Sequence, residues 1–298
     1  MIKRTLFFGN PSYLSTKNEQ ILISFPDKNQ ESITIPIEDV GVLLLENQQI
    51  TITNGLLEKL MNNKVVVISC DKTHMPSGLM LPINGNTQQA ARFAIQIKAS
   101  VPLKKNLWQQ TISAKIHNQG KLLESRNIPC TKMFGWAKDV TSGDAKNHEA
   151  RAAVFYWKVI FGEEDFLRDP DGLSPNNLLN YGYAILRAIA ARAIVSSGML
   201  PTLGIFHKNK YNAFCLADDI MEPYRVYVDK IVCDIADSNE PIDILTIALK
   251  QQLLRIASID VQIDGKTSPL MVAMSRTTHS LFECYEGSVR KILYPTFC

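Results

Sequence analysis

The chain has 298 residues, 46% hydrophobic and 20% charged, with a formal net charge of +3; that length suits one large or two medium domains around a substantial core. No apolar run approaches the ~20 residues that cross a bilayer, and the opening MIKRTLFFGNPSYL is too briefly apolar for a secretory leader. No membrane role and a cytoplasmic location are therefore expected.

The first 70 residues read as β. Strands are expected at 5–8, 20–25, 32–37, 42–45, 49–53 and 64–69, each short, rich in Ile, Val, Leu, Thr and Phe, and bounded by turn residues. Pro26-Asp27-Lys28-Asn29 suits a hairpin connection, and 54–62 (NGLLEKLMN) reads as one short helix. Asp71 and His74 stand beside Met75-Pro76 and read as a plain loop. Many short strands at close spacing favour a small sandwich or two-sheet roll over residues 1–75. Residues 76–87 (PSGLMLPINGNT) hold two Pro and two Gly and read as a linker.

Beyond the linker the apolar period lengthens to about 3.6. Ala90, Phe93, Ile97 and Val101 fall on one helix face, broken at Pro102. A second helix over 104–123 turns Leu107, Trp108, Ile112 and Ile116 inward and leaves Lys104, Lys105, Lys115 and Lys121 to solvent or phosphate. A third begins near Asp144 and carries Glu149, Ala152, Ala153, Tyr156 and Ile160. A fourth is capped by Ser174, starts at Pro175 and stops at Gly198. Later helices are expected over 218–233 (interrupted at Pro223), 242–258 and 278–292. The expected architecture is α+β: a small N-terminal β-sandwich-like domain, a short linker, and a larger all-α domain over 88–298.

The charge is unevenly spread. Residues 86–138 carry nine Lys/Arg against the single acid Glu124, whereas 1–80 and 139–298 are both net acidic. A segment this basic is an electrostatic footprint for a polyanion. The six cysteines, Cys70, Cys130, Cys215, Cys233, Cys284 and Cys298, form no CxxC pair and read as free thiols.

Glu149 lies among small residues in HEARAA, which leaves room around a carboxylate; by itself it is equally a surface acid paired with Arg151. His207 follows the apolar PTLGIF and sits at a core edge, as a structural histidine would. Asp218, Asp219 and Glu222 form the densest acidic cluster, with Asp219 and Glu222 on one helix face, Pro223 breaking the helix, and Arg225 three residues on. The plain alternative is an acidic first helical turn. Two carboxylates and an imidazole together suit a divalent ion acting on phosphate oxygens.

In this order, HEARAAVFYWKVIFG, NNLLNYGYAILR and GMLPTLGIFHKNKYNAFCLADDIMEPYRVYVD resemble the CRISPR-associated integrase family, the metal-dependent endonuclease/integrase of CRISPR adaptation. LWQQTISAKIHNQ looks like the helical domain of that family, and RTTHSLFECYEGSVRKILYP looks most like members from type II systems. The resemblance implies that Glu149, His207 and Glu222 bind catalytic Mg²⁺ or Mn²⁺, that Asp219 supports the site, and that Arg225 fills a basic position. It implies insertion of short foreign DNA into a CRISPR array by 3′-hydroxyl attack on repeat phosphodiesters, and homodimers bridged by a second small CRISPR adaptation protein. The β domain is the expected dimer contact. Arg92, Lys98, Lys104, Lys105, Lys115 and Lys121 are the expected DNA contacts. The rival reading is a non-catalytic DNA-binding scaffold, which keeps the basic segment and discards the metal.

Overall fold

The structure, a computed structural model, describes residues 3–27, 29–162, 166–238 and 241–298. They form two compact units, Met1–Thr87 and Gln88–Cys298, in a mixed α+β chain.

The first unit contains β1 (Arg4–Phe8), β2 (Tyr13–Lys17), β3 (Gln20–Ser24), β4 (Ile33–Pro36), β5 (Val40–Leu45), β6 (Thr51–Ile52), α1 (Asn54–Asn62), β7 (Val66–Cys70) and β8 (Pro76–Met80). One sheet has the order β1-β5-β7-β8, its first three strands parallel and β8 antiparallel to β7. The other has the order β4-β3-β2-β6, antiparallel except for the pair β2–β6. Phe8, Leu43 and Val67 of the first sheet share one core with Leu14, Ile21 and Ile23 of the second and with Leu56 and Leu60 of α1. Thr53 caps α1 by accepting from the Leu56 N–H.

The expected strands are present with shifted ends, and β2 and β8 are additional. In β2 only Leu14 is fully buried, so YLSTK carries little alternation. The expected linker is corrected at its start, because Pro76–Met80 is paired with β7. Pro76 opens an edge strand, where a missing donor is tolerated. Gly78 lies opposite Ser69, where a Cβ would come within 2.2 Å of the Ser69 hydroxyl. These two residues mark a strand here, not a break. Asp71 Oδ1 accepts from the Thr73 and Met75 backbone, as in a plain turn. Of the expected 26–29 connection, Lys28 lies outside the described residues.

The second unit contains α2 (Gln89–Lys98), α3 (Val101–Ser125), α4 (Thr131–Asp139), α5 (His148–Ile160), α6 (Asn176–Ser196), α7 (Cys215–Met221), α8 (Arg225–Asp237), α9 (Ile247–Leu254), β9 (Asp260–Ile263), β10 (Lys266–Pro269) and α10 (Leu270–Glu286). Helix α6 is the central element and packs against α7, α8, α9 and α10. Contrary to the sequence expectation, it is long and apolar enough to cross a membrane, the one such helix among the described residues; 72% of its apolar window is buried. Leu107, Trp108, Ile112 and Ile116 of α3 are buried as expected.

Several expectations are corrected. The unit is not all-α: β9 and β10 form a hairpin around Asp264-Gly265, both at positive φ. Helix α4 was missed. Helix α9 starts later than expected, and α10 runs from Leu270 until Gly287 takes a φ of 91°. Ser174 does not cap α6; its hydroxyl donates to the Ile242 carbonyl. Of the expected helix face, Ala90 and Ile97 on α2 are exposed and Phe93 is half-buried, Val101 is the exposed first residue of α3, and Gln96 is the buried residue of α2. Its amide bonds the Leu200 N–H and the Leu200 and Leu203 carbonyls, which a hydrophobic side chain could not do. Of the cysteines, all free, only Cys298 is exposed.

Candidate metal centre

Asp144 fixes the start of α5. Its two carboxylate oxygens accept from the His148 and Glu149 N–H groups, each at 2.9 Å, satisfying donors that a helix N-terminus leaves free. Glu149 is thereby held in the first turn. Across from it, α3 presents Lys115. The ammonium donates to Glu149 Oε1 at 2.7 Å and lies 2.7 Å from Glu222 Oε2.

Glu222 is placed by the break between α7 and α8. Pro223 cannot continue α7, and a 3₁₀ turn over Glu222–Tyr224 joins the two helices. Asn118 of α3 donates to the Pro223 carbonyl at 2.9 Å and pins that turn. Glu222 Oε1 accepts from Arg225 Nε at 3.0 Å. Arg225 in turn lies 4.6 Å over the Tyr183 ring, and the Tyr183 and Tyr156 hydroxyls both donate to buried Asp229.

His207 sits on the loop between α6 and α7, and Asp219 of α7 holds that loop. Asp219 Oδ2 accepts from the Phe206 N–H at 2.9 Å, and Oδ1 accepts from the His207 N–H at 3.3 Å and meets His207 Nδ1 at 2.5 Å. The close approach requires Gly204, where a Cβ would lie 2.4 Å from the His207 carbonyl oxygen and 2.8 Å from Asp219 Oδ2. Trp108 stacks on Phe206 at 4.4 Å and meets the His207 ring edge-on at 5.7 Å. With Nδ1 engaged by a carboxylate, the imidazole is oriented to offer Nε2, the arrangement in which a second carboxylate aims a metal-binding histidine.

The electrostatics tie these groups together. The bond to Asp219 raises the His207 pKa against the opposing effect of burial, and the charges of Glu222 and Glu149 push it the same way. Burial works to raise the Glu222 carboxyl, but Arg225 and Lys115 outweigh it and hold it at about 2. Burial works to neutralise Lys115, and the charges of Glu222 and Glu149 raise it instead.

Glu149, His207 and Glu222 are therefore brought into one locale, with Asp219 and Arg225 supporting them. The donor set fits Mg²⁺ or Mn²⁺: two carboxylates already converge on one positive charge, the Lys115 ammonium, beside an oriented imidazole. Among the described residues no three acidic, His or Cys side chains stand ready in coordinating geometry, and Lys115 lies between the two carboxylates.

Residues 6–242 match the family described as CRISPR associated protein Cas1. The chain belongs to the Cas1 family. It is 35% identical to the "CRISPR-associated endonuclease Cas1" of Neisseria meningitidis serogroup C (strain 8013), over 94% of this chain and 91% of that protein. The solved structure of a casposase bound to integration product shares the fold, with a TM-score of 0.78 at 20% identity, covering 98% of this chain and 92% of that one. A chain of a Cas6-RT-Cas1–Cas2 complex shares it with a TM-score of 0.73 at 19% identity, over 97% of this chain and 36% of that one.

In this Cas1 chain the expected DNA contacts divide. Lys98 and Lys105 are exposed and Lys104 is half-buried. Lys121 pairs with Glu124 at 2.7 Å on the wall of an open cavity of about 1210 Å³ between α3, α4 and the C-terminal segment, where Lys138, Arg290 and Lys291 also stand. Arg92 and Lys115 depart from the expectation. Arg92 donates to the Ser197 carbonyl at 2.8 Å and lies 4.0 Å over the Phe282 ring, and Lys115 is taken up by the carboxylates. A signal for Lys115 was present in the sequence: with Trp108 and Ile112 it steps by four and three along the inward stripe of α3, where a lysine needs a buried partner. Asp144, Tyr183 and Asp229 carried no comparable signal.

Proposed function

We propose that this Cas1 chain is a metal-dependent DNA endonuclease/integrase that inserts short DNA fragments into a CRISPR array. The observation that carries the reading is the convergence of Glu149 and Glu222 on one cation position beside His207. Family membership supports it, since relatives bear the name CRISPR-associated endonuclease. Glu149, Glu222 and His207 would hold Mg²⁺ or Mn²⁺, and the bound ion supplies charge stabilisation at the phosphodiester oxygens of an in-line displacement.

The chain's own groups do the rest. Asp219 fixes the His207 ring and prevents it from turning Nδ1 inward. Arg225, anchored through Nε and the Tyr183 ring, leaves its other guanidinium N–H groups for a phosphate oxygen. The nucleophile is the 3′-hydroxyl of the incoming fragment: its oxygen–phosphorus bond forms as the bond to the repeat's leaving oxygen breaks. Lys98, Lys104, Lys105 and Lys121 neutralise DNA phosphates without reading sequence. The N-terminal unit supplies the homodimer contact, and a second small CRISPR adaptation protein bridges two dimers; that a chain of this fold stands in a Cas6-RT-Cas1–Cas2 complex is consistent with a second protein partner.

The test is an integration assay with a supercoiled repeat plasmid, a short duplex and Mn²⁺ or Mg²⁺, with the small partner added or withheld. Wild type joins the duplex with metal and not in EDTA. Glu149→Gln, His207→Ala and Glu222→Gln each lose about 100-fold or more, the scale for removing one preorganised electrostatic group, and still bind DNA. Joining at the wild-type rate by Glu222→Gln refutes the assignment. One observation favours the scaffold reading: Lys115 neutralises the two carboxylates as a structural ion pair would. Metal-independent DNA binding by wild type, with no joining or cleavage under any metal, would establish it.

A further inference from the structure

We propose that Lys115 is a tethered counter-cation that occupies the metal position in the resting protein and must leave before a divalent ion can enter. The inference rests on the site reading above and concerns how that site is loaded.

The geometry makes the two occupants exclusive. The ammonium lies 2.7 Å from both Glu149 Oε1 and Glu222 Oε2. Mg²⁺ binds carboxylate oxygen at about 2.0–2.1 Å. An ion held by these two carboxylates would compete with the ammonium for the same oxygens, and the two like charges would repel. Both contacts are charge-assisted hydrogen bonds, so the lysine saturates the same two oxygens that an ion would need.

The side chains differ in how readily they yield. Arg225 is held through Nε to Glu222 Oε1 and against the Tyr183 ring, a fixed planar fork. Lys115 is a point charge on a flexible four-carbon stem, so the ammonium swings away while α3 stays in place. Charge balance favours the exchange only when an anion is near. Glu149, Glu222, Lys115 and Arg225 together are neutral, which spares the metal-free protein a buried and a half-buried carboxylate in mutual repulsion. Replacing the ammonium by a divalent ion leaves the same ligands with a positive surplus, and the released ammonium stays within one side chain's reach. The site then attracts a phosphate in its loaded form and not in its resting form.

A competing internal cation lowers apparent metal affinity by the fraction of molecules in which the position is free. Lys115→Met removes the ammonium and keeps the length of the stem. In isothermal titration of the full chain, Lys115→Met is expected to bind Mn²⁺ about tenfold or more tightly than wild type. Its metal-free form is expected to unfold at a lower temperature, with a larger rise on adding Mn²⁺. Glu149→Gln should weaken binding in both backgrounds. Displacement is read directly from ¹⁵N-lysine side-chain NMR. The Lys115 ammonium signal, assigned by its loss in Lys115→Met, is expected to stand apart from those of exposed lysines and to join them when Mg²⁺ is added.

Wild type that binds Mn²⁺ at Glu149, with Lys115→Met no tighter or with the Lys115 signal unmoved by Mg²⁺, overturns this proposal and leaves the site reading standing. Failure of every variant and of wild type to bind Mn²⁺ overturns both. If Lys115→Met does not fold, Lys115→Gln, which keeps a donor for Glu149, gives the same comparison.

Discussion

Asp229 shows what one buried carboxylate does for the site without touching it. It accepts from Tyr156 and Tyr183, and the Tyr183 ring carries Arg225, which holds Glu222. Burial raises the Asp229 carboxyl from 3.8 to about 6, against the lowering effect of both tyrosines and of Arg225 and Arg168. The folded chain therefore holds this proton where the unfolded chain has lost it. The associated stability is fully present below about 4 and is lost as pH rises through about 6, a total of about 3 kcal/mol. Urea midpoints from pH 4 to 8 should show wild type losing ground to Asp229→Asn over that window; parallel curves would contradict the shift. Gly204→Ala tests the opposite wall of the site. Its Cβ would strike the His207 carbonyl and Asp219, so integration should fall at least about tenfold, the loss expected when a reacting group is misplaced by a fraction of an ångström. Unchanged integration would show that the loop relaxes freely. At this scale the candidate residues Glu149, His207 and Glu222, which the fold brings into one locale, stood out through long motifs that carry residue type and spacing together. Lys115 was misread because its place on the inward stripe of α3 was outweighed by the many basic residues around it, and the carboxylates it meets come from α5 and the α7–α8 turn, distant in sequence.

Whole elements were legible where one face is apolar and the other is not. Helix α3 meets that condition over 107–116, where the apolar step positions Leu107, Trp108, Ile112 and Ile116 are all buried. Helix α2 does not: its apolar step positions Ala90 and Ile97 are exposed and Phe93 only half-buried, while Gln96 is buried to bond the segment after α6. Periodicity cannot anticipate a polar residue buried for its hydrogen bonds. The β9–β10 hairpin was legible in principle, since Asp264-Gly265 is a hairpin signal, but the strands are only four residues each in a region whose composition reads as helical. Close helix packing is the other feature hidden from sequence. Gly182 of α6 faces α8 so tightly that a Cβ would lie 2.4 Å from Val228 Cγ1. Gly182→Ala gains helix propensity of about 1 kcal/mol but overpacks that contact at about 1–3 kcal/mol. A net destabilisation is expected in urea or thermal unfolding, reversed by Val228→Ala in the double variant. Failure of Val228→Ala to rescue would place the strain elsewhere.

At the scale of the molecule, the change of period near residue 87 anticipated two units, although β8 claims the first residues of the supposed linker. The pairing order of the first unit was not legible, because parallel partners such as β1 and β5 are distant in sequence and nothing local selects them. The division has a functional consequence. Lys115, Glu149, His207, Asp219, Glu222 and Arg225 all belong to Gln88–Cys298, and α6 gives that unit a core of its own. The fragment 88–298 should therefore keep its helical circular dichroism and bind Mn²⁺ with the affinity of the full chain. If the N-terminal unit carries the dimer contact, light scattering should give a monomer for the fragment and a dimer for the full chain. A dimeric fragment would move that contact to the helical unit. A fragment that folds but binds no Mn²⁺ while the full chain does would mean that the first unit completes the metal centre.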